Sequence, residues 1–354
     1  MRLMFASHIM ALQAGTVGSA QQIHHYTQVA KRLGHEVLVY GPPDPRSPFS
    51  FSLDIKSVDA LIFVFEWTTE LRQRDQLDFA RFVTKVPRER RIVIDCDGAY
   101  NDAISVDGDY NHRDLATSRL WTLVCDSLSD KICQPTFRPL RSNVRPFLFY
   151  GFSPPSEGSL DAATKEYGMV YVGHSKFRWG PMERVLRAIE PIRGEVGRIT
   201  LVGHGWDALP SWAVPLGMEN AFYTDQAYLR KLDVEIVLPV RFEQVIPWMS
   251  KAIFNPVLLR PTFNLLRLVT PRLFETLAAS TIPLFSMDPE HAREIYGERA
   301  TELLLPGDHP EDRIMGIVRR AERYRKIVEG IRRRLIEKHS HAQRFQELIE
   351  IVER

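Results

Sequence analysis

The chain has 354 residues, of which 44% are hydrophobic, 25% are charged and 10% are aromatic, and its formal net charge is +2. This length exceeds the size of about 250–300 residues at which a single hydrophobic core stops growing, so we expect two domains. A net charge this small excludes the strongly basic class of nucleic-acid-binding proteins, and we expect no nucleic-acid partner. Three cysteines without a disulfide or zinc pattern, and the lack of a signal peptide or membrane-spanning run, predict a cytoplasmic protein.

The first half of the chain alternates predicted strands and helices. Short apolar runs rich in Val, Ile and Phe predict strands over residues 2–8, 35–42, 58–66, 90–98, 120–127 and 144–152. Helices are predicted over residues 19–33, opened by a Ser19–Gln22 capping box, and 70–83. This alternation predicts a doubly wound parallel sheet, whose ligands bind beyond the carboxyl ends of its strands. The features thereby placed near one crevice are His8, the 15–19 loop, Glu66, Asp95, Asp97 and Asp126.

The second half repeats this organisation after a Pro- and Ser-containing linker at residues 153–166. The predicted strands are residues 168–174, 198–205, 234–240 and 281–286, and the predicted helices are 181–192 and 271–280. We therefore expect two Rossmann-like domains, residues 1–152 and 167–335, with a cleft between them. A long helix from Ile314 has many Arg and Lys residues, which predict either a solvated face or peripheral contact with an anionic membrane. A last amphipathic helix covers the end of the chain, within the terminal segment 336–354.

The stretch TPRLFETLAAS, residues 270–280, places two charges at the start of an apolar helix. Thr270 can be the N-cap and Pro271 the first helical residue, which leaves the positive helix end available to a phosphate. Arg272 is unfavourable in a first turn by itself, and an anionic ligand would explain it. Glu275, one turn further on, can accept hydrogen bonds from the vicinal hydroxyls of a ribose. The pair predicts a nucleoside diphosphate site, and the alternative is an intrahelical ion pair at i, i+3.

The segment PRLFETLAASTIPLF resembles the R-x-F-E-x-L-A-x-G-x-x-P segment of GT-B-fold glycosyltransferases, above all the CgeB-like branch and the retaining family 4 enzymes. MVYVGHSKFRWGPMERVLRAI, ITLVGHGW and RLMFASH…GHEVLVYGP are similar to other parts of that fold. The resemblance implies two Rossmann-like domains facing a central cleft, with the C-terminal helices crossing back to the first domain. It also implies transfer of a sugar from a nucleotide diphosphate sugar, here a UDP-sugar, to a hydroxyl acceptor. We therefore expect a transferase of the hexosyltransferase type. The resemblance implies that residues 1–152 bind the acceptor and that residues 167–335 bind the nucleotide sugar.

The resemblance implies roles for individual residues. Glu275 would hold the ribose, and Arg272 and Thr270 would lie beside the diphosphate. The loop residues that would approach the nucleotide, the phosphates and the donor sugar are Gly15, Gly18, Gly173, His174, Lys176 and Arg178. The chain departs from the family pattern at Arg267, where retaining members often have a second Glu, and at the Gly after L-A, which is replaced here. The first departure concerns the sugar contact and the stereochemistry.

Asp95 and Asp97 have the D-x-D spacing with which metal-dependent glycosyltransferases hold a divalent ion. We instead expect no metal, because a helix end and basic side chains can neutralise the diphosphate. Asp97 is then the predicted residue that orients the acceptor hydroxyl or serves as general base. The alternative bases are His112, His24 and His25.

Catalysis would depend on stabilising the leaving diphosphate. Arg272, the helix N-terminus and either Lys176 or Arg178 would meet its developing charge. Domain closure would exclude water and limit hydrolysis. Two other functions stay open, namely a nucleotide-sugar epimerase on the same fold and a catalytically silent module that binds a nucleotide or a glycan. An oxidoreductase is disfavoured because neither half has G-x-G-x-x-G after its first strand.

Overall fold

The chain forms two parallel β-sheets in a computed structural model that describes residues 1–7, 18–42, 47–66, 83–106, 109, 115–155, 164–211 and 213–354. The strands of the first sheet are β1 (Arg2–Ala6), β2 (Glu36–Tyr40), β3 (Phe51–Ser52), β4 (Ala60–Phe65), β5 (Arg91–Asp95), β6 (Lys131–Gln134) and β7 (Val144–Pro146). Their spatial order is β3-β2-β1-β4-β5-β6-β7. The second sheet contains β8 (Tyr167–Val172), β9 (Ile199–Val202), β10 (Val234–Val237), β11 (Ala252–Leu258) and β12 (Ile282–Ser286), in the order β10-β9-β8-β11-β12.

Helices connect these strands and cover the sheets. In the described part of the first sheet domain they are α1 (Gly18–Arg32) and α2 (Leu115–Leu128). The second has α3 (Trp179–Ile189), α4 (Arg193–Val196), α5 (Gln226–Lys231), α6 (Phe242–Ser250), α7 (Pro261–Leu265), α8 (Pro271–Ala278) and α9 (Pro289–Tyr296). The chain then continues through α10 (Pro310–Arg319), α11 (Ala321–Lys338) and α12 (His341–Glu353). No helix in the described ranges combines the length and the apolar character that crossing a membrane requires.

The central strands are buried on both faces, which explains their continuous apolar sequence. In β1, Leu3 and Phe5 pack in one hydrophobic core, whereas Met4 and Ala6 pack in another on the opposite face of the sheet. All pairings between the named strands are parallel, for example Leu3 with Val37 in β2. The predicted architecture of two Rossmann-like sheets is therefore confirmed.

One predicted strand is wrong. Residues 120–127 belong to α2, a helix of 14 residues. Its buried side chains Trp121, Cys125 and Leu128 recur at the spacing i, i+4, i+7, so the short apolar run is the core-facing side of a helix. The neighbouring strand of the sheet is β6 instead.

The capping box predicted at the start of α1 is also wrong. The Ser19 backbone N–H donates to Glu66 Oε2 at 2.8 Å. The Gln22 side chain accepts from the Gly151 N–H at 3.0 Å, and its Nε2 lies 3.1 Å from Nδ1 of His341. Both residues therefore bond to distant parts of the chain rather than to each other. The helix predicted at 70–83 falls largely outside the described residues.

The C-terminal helices return to the first sheet domain. The helix predicted from Ile314 is divided at Arg320 into α10 and α11. The last helix, α12, then packs against α1, where Phe345 meets the ring of Tyr26 with centroids 5.5 Å apart. Near the other end of α12, Lys131 Nζ donates to the carbonyl of Val352 at 2.9 Å. The predicted crossing of the C-terminal segment back to the first domain is confirmed.

Candidate functional site

A cavity of about 260 Å³ lies between the two sheets at the carboxyl ends of their strands. Glu66 follows β4, Asp97 follows β5 and Gly173 follows β8, and all three line it. The predicted site residues that line this cavity are Gly18, Asp97, Gly173, His174, Lys176, Arg178, Thr270, Arg272 and Glu275. Gly15, His112 and His8 lie outside the described residues. The structure thus brings together residues that are up to 257 positions apart, because parallel strands end at a common edge.

The amino ends of α1 and α8 meet in this cavity. Pro271 is the first residue of α8 and Thr270 occupies its N-cap position, although the Thr270 side chain makes no capping hydrogen bond. A Cβ atom at Gly18 would lie 2.4 Å from Cγ of Pro271, so only glycine permits this approach. Two positive helix ends therefore face the same space, which suits an anionic ligand.

Arg272 and Glu275 form the intrahelical ion pair that the sequence left open as an alternative. Arg272 Nη1 lies 2.7 Å from Glu275 Oε2, and the two side chains are 25% and 8% exposed. Both still line the cavity. The ion pair and a ligand-binding role are therefore compatible, since the pair holds the two side chains in place beside the helix end.

The second-domain wall of the cavity is cationic. Lys176 is buried, and Nη1 of Arg178 donates to the Lys176 carbonyl at 3.0 Å. The same nitrogen lies 3.1 Å from Nδ1 of His174. Burial, together with the charges of Arg178 and Lys176, lowers the pKa of His174 well below its usual value. His174 is therefore neutral and can accept the hydrogen bond from Arg178. The positive charges of Lys176 and Arg178 favour an anionic ligand at this wall.

The first-domain wall is acidic. Glu66 and Asp97 both line the cavity, and Glu66 accepts the hydrogen bond from the Ser19 N–H. Burial raises the pKa of Glu66 to about 7, and the charge of Asp97 adds to this, while hydrogen bonds from Ser19 and Gly18 oppose it. The sequence predicted Glu66 near the crevice but gave it no role, because its burial depends on distant segments.

The D-x-D pair is divided between two environments. Asp95 is fully buried and accepts hydrogen bonds from the N–H groups of Ala99 and Tyr100 and from Gln134 Nε2, each at 2.8 Å. It therefore fixes the turn after β5, whereas Asp97 lines the cavity. Within the described ranges, no group of three or more His, Cys, Asp and Glu side chains is placed to hold a metal ion.

Three other residues predicted near the crevice or as bases lie outside the cavity lining. Asp126 is an exposed residue of α2 that accepts a hydrogen bond from the Tyr100 hydroxyl at 2.5 Å, so its predicted position is wrong. His25 stacks on His341 with ring centroids 4.0 Å apart, and burial lowers the pKa of His25 to about 4. His24 packs near Phe242 of α6.

The sequence missed a buried ion pair that joins the two domains. Arg260, just after β11, donates from Nε and Nη2 to the two carboxylate oxygens of Asp109 at 3.0 and 2.8 Å. The Thr262 N–H donates to the same carboxylate at 3.1 Å. The Arg260 and Asp109 side chains are 8% and 0% exposed, and the guanidinium lies over the rings of Phe177 and Phe263. Arg260 also lines the cavity, so a first-domain carboxylate holds a cation of the candidate site.

Arg267, which replaces the second Glu of the family pattern, does not line the cavity. Its Nη2 atom lies 2.7 Å from Glu290 and 3.4 Å from Asp288. Arg138 of the first domain lies 2.6 Å from Glu294 in the same group of charges. Arg267 therefore belongs to a surface ion-pair network at α9.

One arginine of the basic C-terminal helix contacts the carboxyl end of α8, the end opposite the cavity. Arg332 in α11 donates to the carbonyls of Leu277 and Ala279 at 2.6 and 2.7 Å. These carbonyls end α8, so a cation caps the negative end of the helix whose positive end faces the cavity. Contact of this basic helix with a membrane stays a prediction.

No protein-family model matches the chain, and no curated protein matches it. Solved structures resemble it over nearly its whole length. An α-glucosyltransferase in complex with UDP and a 13-mer DNA containing a central A:G mismatch is 14% identical, with a TM-score of 0.63 and 100% of both chains covered. The T4 phage β-glucosyltransferase in complex with UDP-glucose is 11% identical, with a TM-score of 0.56 and 99% of both chains covered. The T4 phage enzyme with UDP and Mn²⁺ is 12% identical, with the same TM-score and coverage.

These likenesses establish the fold and correct one prediction. The chain has the GT-B fold, in which two Rossmann-like domains face a cleft. The expectation that nucleic acid is excluded as a partner is wrong, because a protein of this fold is in complex with DNA. The expectation rested on the net charge of +2, which sums 46 basic and 44 acidic residues over the whole chain. A nucleic-acid surface depends on the local distribution of charge, which a total does not describe.

Proposed function

We propose that the protein is a glycosyltransferase that moves a sugar from a UDP-sugar to an acceptor hydroxyl. The main support is the convergence of the α8 amino end, Arg272 and the cations Lys176 and Arg178 in the cavity between the domains. A diphosphate leaving group accumulates negative charge as the sugar departs, and preorganised cations and a helix end stabilise that charge. Glu275 would accept hydrogen bonds from the ribose. The GT-B neighbours in complex with UDP or UDP-glucose support the same choice of donor.

The donor site is tested by thermal shift with UDP-glucose. Ligand at about 100 times its Kd should stabilise the wild type by about 2.7 kcal/mol. Arg272→Ala and Glu275→Ala should lose most of this stabilisation. Arg299→Ala is the matched control, because Arg299 forms an i, i+3 ion pair with Glu302 outside the cavity. If both site variants respond to UDP-glucose as Arg299→Ala does, the site assignment fails.

We infer that transfer needs no metal ion, since Lys176, Arg178 and the helix end can neutralise the diphosphate. The T4 phage structure with UDP and Mn²⁺ makes this a point to test. Transfer assayed with a chelator, and again with added Mn²⁺, should proceed at the same rate. A rate that falls with the chelator and returns with Mn²⁺ would overturn the inference.

Asp97 is our proposed acceptor-side residue, since it lines the cavity from the first domain. It would orient the acceptor hydroxyl or remove its proton. Asp97→Asn should lower the turnover rate by about 10²–10⁴-fold while UDP-glucose binding persists. Unchanged turnover would refute this role.

Nucleic acid is our proposed acceptor class, because α-glucosyltransferase structures of this fold are in complex with DNA. A duplex presents no free hydroxyl on an unmodified base, so the acceptor would be a hydroxymethylated base. The assay follows radiolabel from UDP-glucose into duplexes with and without such a base. Label in neither duplex, together with transfer to a small hydroxyl compound, would refute the acceptor class and leave the transferase function standing.

The finer family relation and the stereochemistry are proposals as well. The sequence resemblance to CgeB-like and retaining family 4 enzymes favours retention, whereas Arg267 leaves the cavity without the second Glu of that pattern. The neighbours include both an α- and a β-glucosyltransferase, so the fold alone does not select the anomer. The anomeric proton coupling of the product decides between retention and inversion.

A further inference from the structure

Glu66 lies at the junction of the two helix amino ends that face the cavity. Its Oε2 atom accepts the hydrogen bond from Ser19 in the first turn of α1. A Cβ atom placed on Gly18 would lie 3.4 Å from Glu66 Oε1 and 2.4 Å from Cγ of Pro271, the first residue of α8. The carboxyl group is therefore a close neighbour of the helix end that would receive the donor diphosphate.

A carboxylate at this position would oppose the binding of a diphosphate. The charged groups that line the cavity with Glu66 are Asp97 after β5, Arg272 and Glu275 on α8, Lys176 and Arg178 after β8, and Arg260 after β11. Arg272 is paired with Glu275 and Arg260 with Asp109, whereas Asp97 adds a like charge on the first-domain side. The other titratable side chains that line the same cavity are Cys96, Tyr150, Tyr171, His174 and His204. Like charges in a partly buried site disfavour each other, so a bound diphosphate favours the neutral form of Glu66.

A protonated carboxyl group is chemically suited to the site. It keeps an oxygen that accepts from Ser19 and gains one O–H that can donate to a phosphate or sugar oxygen. Burial raises the pKa of Glu66 to about 7, so protonation at neutral pH requires little energy even before a ligand binds.

We propose that Glu66 binds the donor in its protonated form, donating a hydrogen bond to an oxygen of the nucleotide sugar, so that donor binding takes up one proton at this residue. The proposal rests on the proposed function, since the ligand is its UDP-sugar donor. The affinity for the donor has its highest value when the pH is below the pKa of Glu66 in the free enzyme. It falls as the pH rises from that value towards the higher pKa of the complex, by about tenfold per pH unit between the two.

The experiment is calorimetric titration with UDP-glucose at pH 8 in two buffers of different ionisation enthalpy. The phosphates of UDP-glucose bind no proton at this pH, so the protons taken up belong to the protein. The wild type should take up close to one proton. Glu66→Gln should take up none, because the amide donates and accepts hydrogen bonds as the neutral acid does. Its affinity should also stay constant from pH 7 to pH 9.

Three control variants identify the proton acceptor. Asp97→Asn should keep the proton uptake, since it removes the neighbouring carboxylate and leaves Glu66 in place. Any donor binding that His174→Gln or His204→Gln retains should still take up the proton, which matters because an anion also favours protonation of a histidine and both histidines line the cavity. Uptake that survives in Glu66→Gln overturns the proposal, and its loss in one of the histidine variants would assign the proton to that histidine.

The remaining outcomes separate this inference from the proposed function. UDP-glucose that binds the wild type at pH 8 without proton uptake overturns the role of Glu66 and leaves the transferase function standing, even if Glu66→Gln does not fold. An affinity loss in Glu66→Gln equal to that in Glu66→Ala also overturns it. Failure of the wild type to bind any UDP-sugar at any pH removes the proposed function and this inference together.

Discussion

The buried pair of Asp109 and Arg260 gives the sharpest test of how the two domains are held together. Asp109→Asn keeps the shape of the side chain but leaves the Arg260 guanidinium buried without a counter-charge. Three hydrogen bonds reach this carboxylate, two from Arg260 and one from the Thr262 N–H. Removing one partner of such a buried pair destabilises a protein by about 3–5 kcal/mol. Because the asparagine keeps one of the two oxygens, we expect Asp109→Asn to lower the free energy of unfolding by about 3 kcal/mol.

The chain contains a matched control at its surface. Arg88 donates from Nε and Nη2 to both carboxylate oxygens of Asp130 at 2.9 and 2.8 Å, nearly the same geometry as the buried pair. The Arg88 and Asp130 side chains are 39% and 75% exposed, and an exposed ion pair contributes about 0–1 kcal/mol to the free energy of unfolding. With an unfolding entropy of about 2.1 cal/mol/K per residue over 354 residues, thermal melting should show a loss of about 4 °C for Asp109→Asn and at most about 1.5 °C for Asp130→Asn. Equal shifts for the two variants would refute the reasoning from burial.

The Asp109–Arg260 pair also predicts that the protein loses stability at acidic pH. Burial raises the pKa of Asp109, but the charge of Arg260 and the hydrogen bonds from Arg260 and Thr262 outweigh it and hold the pKa below its usual value. A folded-state pKa below the unfolded one contributes stability that is complete above about pH 4 and is lost as the pH falls through the folded value. The difference in Tm between the wild type and Asp109→Asn should therefore shrink below about pH 4. A difference that stays constant down to pH 2 would contradict this assignment.

Two further substitutions test the surroundings of α8. Gly18→Ala should weaken UDP-glucose binding by at least about tenfold in calorimetry, since its Cβ would meet the Pro271 ring, whereas Gly180→Ala has open space and should not. Arg332→Met should lower the free energy of unfolding by about 2–3 kcal/mol in urea titration, because two carbonyls of α8 lose a charged donor. Arg333→Met, at an exposed position of the same helix, should change it by less than about 0.5 kcal/mol. Equal effects within either pair would count against the structural explanation.

The fold was largely predictable because parallel strands buried on both faces leave continuous apolar runs. The exceptions have physical reasons. The run at 120–127 is too short to separate a strand from the buried side of a helix. In β11 the sequence AIFNPVL contains Pro256, which argues against a central strand. Pairing with β8 is limited to Ala252 and Phe254, so Pro256 pairs only with Leu284 of β12 and its missing N–H is tolerated.

Site residues that lie close together in the sequence could be predicted. Residues whose role depends on contacts between distant segments could not. Arg272 and Glu275 could be recognised because helix geometry alone sets their relation to the amino end of α8. The burial of Glu66 depends on α1 and α8, which come from different domains. Asp109 is 151 residues from Arg260, and no local pattern announces such a pair.

The two chain crossings between the domains lie side by side where residues 151–152 meet residues 339–341. The Phe152 N–H donates to the carbonyl of His339 at 2.7 Å, and Phe152 and Ser340 form a parallel bridge. A Cβ atom on Gly151 would lie 2.8 Å from the Cα of His341, so the backbones touch there. Two hydrogen-bonded crossings restrict the rotation of one domain relative to the other more than a single linker would. Any separation of the two domains would also have to break the buried Asp109–Arg260 pair.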